Sequence, residues 1–472
     1  MHPSALAKRL YIFITPIIIV FYLYGLGKLP LLGPDEPRYA QVAREMFVNH
    51  DLITPTLGGH TWFEKPALLY WMIVASFKVF GVNEWAARLG PALCGLLTIA
   101  AVWCVGREIE QDGFWSVIVT MSCLGLIVFS RAASFDVVIT MTTAWSLAFL
   151  LLHELPTTSR KRLLLSGFYV FVGLSLLAKG LVGIVIPFGV AGSYYLLRRS
   201  WPRRSVLLSL IWGVPLALLV SAVWYGPVIA RHGWTFIDEF FVQHHFARYV
   251  SNKYHHPQPI YFYPVIILLL TLPWAVHLVL SLANARKWEW RGSDSLSIVR
   301  VFSLAWLLLP ILFFSFSGSK LPGYVLPALP GAALLVSSRL PCVRNTKLPL
   351  LIAAATVVLV VIVLNFAAPT YANRESVRDL LLLADARGYA GAPVLAQRSD
   401  DRSAEFYAYG RVVYRPDGEP LTFDEITVDE ARARGGKFVV MIPIEHVRNV
   451  RGVSTIEVIG DNGKTAVLGW KP

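Results

Sequence analysis

The feature that most constrains this chain is a series of apolar segments, most of them as long as a helix that crosses a membrane. Twelve segments share this character: 10–27, 66–81, 85–106, 114–130, 135–154, 163–178, 181–197, 205–225, 261–283, 298–316, 322–338 and 347–367. About 20 apolar residues in a helix cross the hydrocarbon core of a bilayer. Charged residues make up only 15% of the chain, against about 25% in soluble proteins. The sequence therefore predicts a polytopic α-helical membrane protein.

The distribution of basic residues predicts the topology. Segment 66–81 is short and contains Lys78, so we expect it to lie along the interface without crossing. On that reading, 17 lysines and arginines of the membrane region fall on one side and 12 on the other, and the richer side is cytoplasmic. We predict eleven spans, within a range of 11 to 13, with the N-terminus inside. The first loop (28–84), the loop 226–260 and the C-terminus then lie outside.

The composition changes after Ala368, which divides the chain into a membrane domain (1–369) and a soluble domain (370–472). The second part alternates short β-type runs with polar helical stretches. The β-type runs are 392–396, 411–414, 438–442, 455–459 and 466–468, and the helical stretches are 374–387 and 424–434. We expect a small α/β domain on the outer side, and it contains no recognisable catalytic motif.

Charged residues stand at the outer ends of the predicted spans, and the first group is Gly33-Pro34-Asp35-Glu36-Pro37-Arg38-Tyr39. One reading is a helix start, in which Asp35 or Glu36 caps the helix and Pro37 takes its first position. A cap needs only one carboxylate. A second carboxylate, with an arginine and a tyrosine one turn along, indicates a functional site.

The second group is Phe63-Glu64-Lys65-Pro66. Lys65 either extends to lipid headgroups or presents a fixed ammonium to a phosphate oxygen. We favour the second reading, because an adjacent glutamate and the following proline restrict the lysine.

Three further groups lie on the same predicted face. Arg131 and Asp136 flank a tight outer loop, where they either neutralise each other or leave Asp136 as a second carboxylate facing Asp35. Lys179 stands alone between small residues, and an ammonium at that depth requires an anion such as a lipid phosphate. Lys320 and Tyr324 lie one helical turn apart around a predicted helix start at Pro322.

The loop 226–260 is rich in aromatic residues and contains His244-His245 and His255-His256. Paired histidines suggest a metal site. Most such histidines are hydrogen-bonding residues of an interface, so we favour an amphipathic lid and predict no metal site.

A lipid-linked sugar phosphate is the ligand that would require these groups together, since it combines a membrane-surface phosphate with a long apolar tail. The expected phosphate ligands are Lys65, Lys179, Arg248 and Lys320. Asp35 would accept a proton from the acceptor or orient it. The chain has no glycine-rich nucleotide loop, and no polybasic tail that would predict nucleic-acid binding.

The motifs GPDEPRYA, FEKP, Ser130-Arg131 followed by Asp136, AKG, the aromatic His/Arg loop and SKLPGYVLP occur in one order over residues 10–340. This ordered set resembles the GT-C superfamily of polyprenyl-phosphate-sugar glycosyltransferases. It is most similar to the branch of bacterial aminoarabinose lipid A transferases and protein O-mannosyltransferase-like enzymes.

The resemblance implies a role for each matched residue. The catalytic residues would be Asp35, Asp136 and Glu36. The residues facing the donor phosphate would be Lys65, Lys179, Arg248, Tyr324, Lys320 and Arg38. Further site residues would be Tyr39, Glu64, Arg131, His245 and His256.

The resemblance also implies a reaction: inverting displacement of undecaprenyl phosphate by an envelope acceptor, lipid A or another glycan, in the periplasm at the inner membrane. No cofactor is required, and a divalent metal is compatible but unsupported. The alternatives are a protein O-mannosyltransferase-like enzyme and, with less support, a transporter of lipid-linked substrates. Transporters usually show internal repeats or broken helices near mid-membrane, and no inverted repeat is visible here.

Overall fold

A computed structural model of the protein describes residues 5–110, 113–247, 258–342, 347–396, 402–415, 436–447 and 456–471. The chain forms two compact units. The first unit comprises Met1–Tyr24, Phe63–Leu69 and Gly90–Leu359, and the second comprises Gly25–Trp62, Tyr70–Leu89 and Val360–Pro472. The predicted boundary at 369/370 stays a prediction.

Up to residue 374, the regular structure of the described residues is helical apart from one small hairpin. Its α-helices, in chain order, are α1 (Ala5–Leu23), α2 (Asp35–Val48), α3 (Leu68–Phe80), α4 (Glu84–Gly106), α5 (Phe114–Ser122), α6 (Leu124–Phe129), α7 (Phe135–Glu154), α8 (Lys161–Lys179), α9 (Val182–Arg198), α10 (Arg204–Ile237), α11 (Phe262–Leu270), α12 (Ala275–Ala283), α13 (Ser295–Ser315), α14 (Leu329–Ser337), α15 (Lys347–Ile362) and α16 (Ala368–Arg374).

Six helical stretches within the described residues are long and apolar enough to cross a membrane: Glu84–Gly106, Phe135–Glu154, Lys161–Lys179, Arg204–Gln243, Ser295–Ser315 and Lys347–Arg374. The prediction of a polytopic membrane protein is therefore confirmed. The count of eleven spans stays a prediction, because several other apolar helices are shorter. Helix α3 has 13 residues and rises about 20 Å, less than the ~30 Å of the hydrocarbon core, as expected for an interfacial helix.

Two segments that the sequence predicts as straight spans are broken. Segment 114–130 divides into α5 and α6, and segment 261–283 forms α11 and α12, whose axes differ by 119°. Pro273 has no N–H for an intrahelical bond, which ends α11. The N–H of Leu124 at the first break donates to the carbonyl of Leu272 at the second, at 2.8 Å. The two breaks therefore supply hydrogen-bond partners to each other, which hydropathy alone does not show.

The α7–α8 hairpin lies in the interior of the first unit. Helix α7 is buried along almost its whole length and packs against α8, which packs in turn against α9 and α10. Helices α10 and α15 leave most of their apolar side chains exposed, as lipid-facing helices do. The start of α7 and the end of α8 consequently lie at the same end of the hairpin.

The first part of the predicted outer loop 226–260 is helical, and its location outside the membrane stays a prediction. Helix α10 continues to Ile237, with a non-helical residue at Gly233, and a π-helical stretch follows over Asp238–Ala247. Aromatic side chains hold this extension by packing on one another: Trp224, Tyr225, Phe236, Phe240 and Phe241. Trp234 and Val242 remain exposed, and the lid stays a prediction.

In the second unit, α2 is followed by the hairpin of β1 (Thr56–Leu57) and β2 (His60–Thr61). Gly58 and Gly59 form its turn with φ of 62° and 82°, a left-handed conformation that glycine adopts without strain. Glu45 of α2 holds the turn, because its carboxylate accepts hydrogen bonds from both glycine N–H groups.

The small C-terminal sheet domain is confirmed. Its strands are β3 (Val394–Ala396), β4 (Phe438–Pro443), β5 (Ile456–Asp461) and β6 (Thr465–Trp470), in the order β3-β4-β6-β5, with β3 parallel to β4 and the other pairs antiparallel. Helices α17 (Arg378–Ala384) and α18 (Ser403–Tyr407) belong to this domain. The β-type run 411–414 forms isolated bridges at Val412 and Tyr414 instead of a strand. The predicted helix 424–434 lies outside the described residues.

Candidate functional site

An ion pair joins the start of α7 to the end of α8. The Lys179 ammonium donates a hydrogen bond to Oδ1 of Asp136. Asp136 stands in the first turn of α7, where the Ser134 hydroxyl accepts its backbone N–H at 3.1 Å. Lys179 is the last residue of α8. Each charge therefore lies at the helix end whose dipole favours it.

The glycine of the AKG motif ends α8. Gly180 has φ 63° and ψ −139°, a backbone conformation that residues with a Cβ rarely adopt. Helix α9 begins only two residues later, at Val182. The turn therefore fixes Lys179 at the helix end.

The SKLPGYVLP motif brings Tyr324 and Gly323 to this pair. The Lys179 Nζ lies 4.6 Å from the ring centroid of Tyr324, within the range of a cation–π interaction. A Cβ placed on Gly323 would lie 1.9 Å from Oδ2 of Asp136. Only glycine therefore allows the 3-10 helix Pro322–Ala328 to approach the carboxylate this closely.

Lys320 is a buried cation. It is only 9% exposed, and its ammonium makes no hydrogen bond or ion pair with the described part of the chain. It lies three residues before Gly323, and three residues span at most about 11 Å. A cation in such a confined position attracts an anion more strongly than a cation surrounded by bulk water, so this position is suited to an anion.

Arg131 does not neutralise Asp136. Its guanidinium donates to the carbonyls of Phe21 and Ile127 and lies over the ring of Phe21 at 4.6 Å. The alternative in which Arg131 and Asp136 neutralise each other is therefore wrong, since Asp136 pairs with Lys179. Arg131 instead ties the outer loop to α1.

The FEKP motif is held by its phenylalanine. The Phe63 ring packs at 5.0 Å against His232 and at 5.2 Å against Phe236, both in the α10 extension. Lys65 Nζ lies 2.5 Å from Oε1 of Glu64, and both side chains are largely buried. The expected contact of Lys65 with the donor phosphate stays a prediction.

In the second unit, the two carboxylates of the GPDEP motif have different environments. Asp35 is half-exposed and pairs with Arg38 at 3.1 Å. Helix α2 begins at Asp35, and Pro34 occupies the cap position without a side-chain cap. The expectation of a carboxylate cap with Pro37 first in the helix was therefore wrong. Asp35 is the carboxylate accessible for chemistry.

Glu36 is buried in an ion pair with Arg88. The Arg88 Nη2 lies 2.7 Å from Oε2 and its Nε 2.9 Å from Oε1 of Glu36. The same Oε2 accepts the N–H of Leu32 at 2.8 Å. These contacts favour a positioning role for Glu36 over the expected catalytic one. Tyr39 is also buried, and its ring packs edge-to-face with Tyr70.

The sequence reasoning missed Arg88 and Glu45, which hold the first loop in shape. The sequence contains a signal for Arg88, because this arginine follows Glu84 by four residues at the start of an apolar segment. It contains no signal for Glu45, because the hydrogen-bond partners of Glu45 come from the hairpin turn.

Three expected site residues belong to the second half of loop 226–260. Arg248 and His256 lie outside the described residues, and so does the side chain of His245. Among the residues that are described, no three His, Cys, Asp or Glu side chains form a metal-binding group. The cofactor expectation stays a prediction.

The chain is similar to known membrane glycosyltransferases. A family model described as dolichyl-phosphate-mannose-protein mannosyltransferase matches residues 9–237. The undecaprenyl phosphate-alpha-4-amino-4-deoxy-L-arabinose arabinosyl transferase of Pseudomonas aeruginosa is 34% identical over 328 residues, which cover 68% of this chain and 58% of that protein. A second transferase of that name from Pseudomonas fluorescens is 31% identical over 384 residues, covering 76% and 63%. The chain thus spans about three fifths of these relatives' length.

The fold matches two solved structures of ArnT from Cupriavidus metallidurans, one bound to undecaprenyl phosphate and one in the apo state. Each structural alignment has a TM-score of 0.79 and covers 98% of this chain and 98% of the solved chain, and the sequence identities are 21% and 20%. The match therefore includes the C-terminal domain as well as the helices. Together with the ordered motifs, these similarities show that the chain belongs to the GT-C superfamily of polyprenyl-phosphate-sugar glycosyltransferases.

Proposed function

We propose that this integral membrane protein transfers a sugar from undecaprenyl phosphate to lipid A or another envelope glycan. Relatives that share about a third of its residues are named undecaprenyl phosphate-aminoarabinose arabinosyl transferases. A solved protein of the same fold was crystallised with undecaprenyl phosphate.

The observation that carries the proposal is the largely buried Lys320, three residues before the Gly323 that packs on Asp136. A lysine ammonium without a carboxylate partner attracts a phosphate, and a charge-assisted hydrogen bond is stronger in a confined site than in bulk water. Lys179 has Asp136 as its counter-ion, so Lys320 is the cation that the phosphate of the donor would neutralise. A polyprenyl tail would remain among the apolar helices.

The transfer breaks the bond between the anomeric carbon and the phosphate oxygen and forms a bond between that carbon and an acceptor oxygen. The polyprenyl phosphate leaves with the electron pair, and lysine charges stabilise it. Asp35 accepts the acceptor's proton, or orients an acceptor that is already ionised. Attack opposite to the leaving group inverts the anomeric centre. The reaction needs no resident metal, because the leaving group is already a phosphate held by lysines.

A protein hydroxyl is the second candidate acceptor. It is favoured by the match of residues 9–237 to a protein mannosyltransferase family. Offering lipid A and an unfolded periplasmic polypeptide to the same preparation separates the two, because only the true acceptor acquires label.

The test is transfer of radiolabelled sugar from undecaprenyl phosphate by purified protein in detergent. We expect Asp35→Asn to abolish transfer while donor binding stays near wild type. Asp379→Asn is the matched control, because Asp379 is a half-exposed carboxylate that also pairs with a nearby arginine, Arg378, at 2.9 Å. Transfer should persist in EDTA. Normal turnover by Asp35→Asn would remove that residue from the chemistry, and label that stays on the carrier with every acceptor would count against the enzyme.

We propose that the site and the C-terminal domain face the periplasm, which the positive-inside distribution supports. An Arg374→Cys variant tests this orientation, since Arg374 is exposed at the end of α16. A membrane-impermeant maleimide should label it in spheroplasts. Labelling only after lysis would reverse the topology.

A further inference from the structure

Side chains from distant parts of the second unit hold the backbone of the loop that precedes Asp35. Arg88 of α4 donates to the carbonyls of Leu26, Leu29 and Pro30, at 2.7–2.8 Å. Its partner Glu36 accepts the N–H of Leu32. The loop contains prolines and glycines and has no regular structure of its own, so these bonds set its path.

The N–H of Leu31, in the same loop, is held by the C-terminal domain. The Tyr407 hydroxyl accepts the N–H of Leu31 at 2.8 Å and donates to Oε1 of Glu84 at 3.0 Å. Arg378, from the same domain, also approaches Glu84 at 3.3 Å. Glu84 begins α4, one turn before Arg88. Burial raises the pKa of Tyr407 above its ordinary value, so the hydroxyl keeps the proton that it donates.

A second connection lies further along α2. Arg44 donates to the carbonyl of Phe406 at 3.1 Å, and its guanidinium lies 3.9 Å from the ring centroid of Tyr409. The segment of α18 therefore contacts α2 as well as the preceding loop. The C-terminal domain thus holds the acidic motif at both ends, once at Leu31 and once at Arg44.

We propose that Tyr407 is a positioning residue for the transfer reaction, through which the C-terminal domain fixes the loop that presents Asp35. This inference rests on the proposed function, in which the Asp35 carboxylate acts at the acceptor. Within the described part of the chain the Asp35 carboxylate contacts Arg38, and Asp35 is the first residue of α2, so its location depends on the backbone before it. The domain without a catalytic motif thereby becomes part of the catalytic machinery.

The test is Tyr407→Phe, which keeps the ring and removes the hydroxyl. Two polar partners, the Leu31 N–H and the Glu84 carboxylate, then lose a hydrogen bond, and small displacements of a reacting group strongly reduce rate. We expect kcat to fall about tenfold with the KM for donor changed less than about twofold. Tyr371→Phe is the matched control, because Tyr371 is exposed on α16 and its hydroxyl makes no hydrogen bond to the described residues.

Hydrogen exchange separates positioning from general destabilisation. The Leu31 amide should exchange faster in Tyr407→Phe than in Tyr371→Phe, while the amides of β4 and β6 exchange as in wild type. An unchanged kcat in Tyr407→Phe would overturn the inference. An equal loss of protection from hydrogen exchange throughout the C-terminal domain would also overturn it. If Asp35→Asn is inactive but Tyr407→Phe is fully active, only this inference fails; if Asp35→Asn is active, the proposed role of Asp35 fails first.

Discussion

The Asp136 carboxylate and the Lys179 ammonium form a hydrogen-bonded pair that closes one end of the α7–α8 hairpin. A second charged cluster lies at the other end of the same hairpin, where the buried Glu154 accepts from the Tyr195 hydroxyl and contacts Arg203. Helix α7 has 20 residues and is therefore about 30 Å long, the thickness of a hydrocarbon core. The two polar clusters thus lie one membrane thickness apart, and the apolar helix between them joins the two faces.

Replacing Lys179 tests its expected contact with phosphate. Lys179→Gln removes the charge, and a charge-assisted hydrogen bond is worth about 1.5–3 kcal/mol, so the KM for donor should rise at least about tenfold. Titration of turnover against undecaprenyl-phosphate sugar measures this. Lys78→Gln is the control, since Lys78 is exposed on α3, and it should match wild type. An unchanged KM in both variants would remove Lys179 from the donor site.

Gly323→Ala should damage the site without altering any charge. The added Cβ would stand 1.9 Å from Oδ2 and 2.5 Å from Cγ of Asp136, so the carboxylate or the 3-10 helix must move. Overpacking of this kind costs about 1–3 kcal/mol, and we expect at least a tenfold loss of turnover. Gly192→Ala is the control, because nothing lies within 4 Å of its added Cβ. Wild-type turnover by Gly323→Ala would show that the close approach is not needed.

The ends of the α7–α8 hairpin were predictable because hydropathy alone places Asp136 and Lys179 at the same membrane face. Ser134 and Gly180 confirm those ends by local capping, which is also a short-range property. By contrast, the pairing of Asp136 with Lys179 and not with Arg131 depends on helix packing. Arg131 is closer to Asp136 in the sequence than Lys179 is, which favours an Arg131–Asp136 pair. In the structure, however, the Arg131 guanidinium binds other partners.

The roles of Glu36 and Tyr407 could not be read from the sequence. Glu36 stands next to Asp35 in one motif, yet Arg88 buries it, because the loop 26–32 folds back over α4. Tyr407 lies in a domain without a motif, and only the three-dimensional path of the chain brings it to Leu31. Hydropathy likewise missed the break within segment 114–130, since the hydrogen-bond acceptor for Leu124 is Leu272, far along the chain.

Lys320→Met should affect donor binding much more than stability. Methionine fills similar space without the charge, so the stability of the ligand-free protein should stay within about 1 kcal/mol of wild type. Donor affinity should fall about tenfold or further. Thermal unfolding with and without undecaprenyl phosphate measures both effects. A Lys320→Met protein that is less stable and still binds donor normally would assign Lys320 a structural role.

Arg88→Ala should be strongly destabilising. It removes the arginine partner of the buried Glu36 carboxylate and the donor of three loop carbonyls, and breaking a buried pair in this way costs about 3–5 kcal/mol. Chemical unfolding in detergent provides the measurement. The exposed Arg374→Ala should stay within about 0.5 kcal/mol of wild type. Equal stability of the two variants would show that the Arg88 network does not hold the loop.

The stability of the protein should fall as pH rises through the range in which Glu110 titrates. Glu110 lies in the turn after α4, where it accepts from the Trp115 N–H and the Ser116 hydroxyl. Burial raises its pKa from 4.5 to about 7. Between pH 4.5 and pH 7 the folded state holds a proton on Glu110 that the unfolded state has released. The stabilisation that results from the raised pKa is therefore fully present below pH 4.5 and is lost as pH rises through 7.

Glu110→Gln keeps a neutral side chain at every pH and removes this dependence. The free energy of unfolding of the variant, taken relative to wild type, should rise by up to about 3 kcal/mol from pH 5 to pH 8, since each unit of pKa shift corresponds to about 1.4 kcal/mol. Thermal unfolding at the two pH values compares the proteins directly. A stability difference that is the same at pH 5 and pH 8 would mean that Glu110 is ionised in the folded protein throughout, with its charge held by the hydrogen bonds to Trp115 and Ser116.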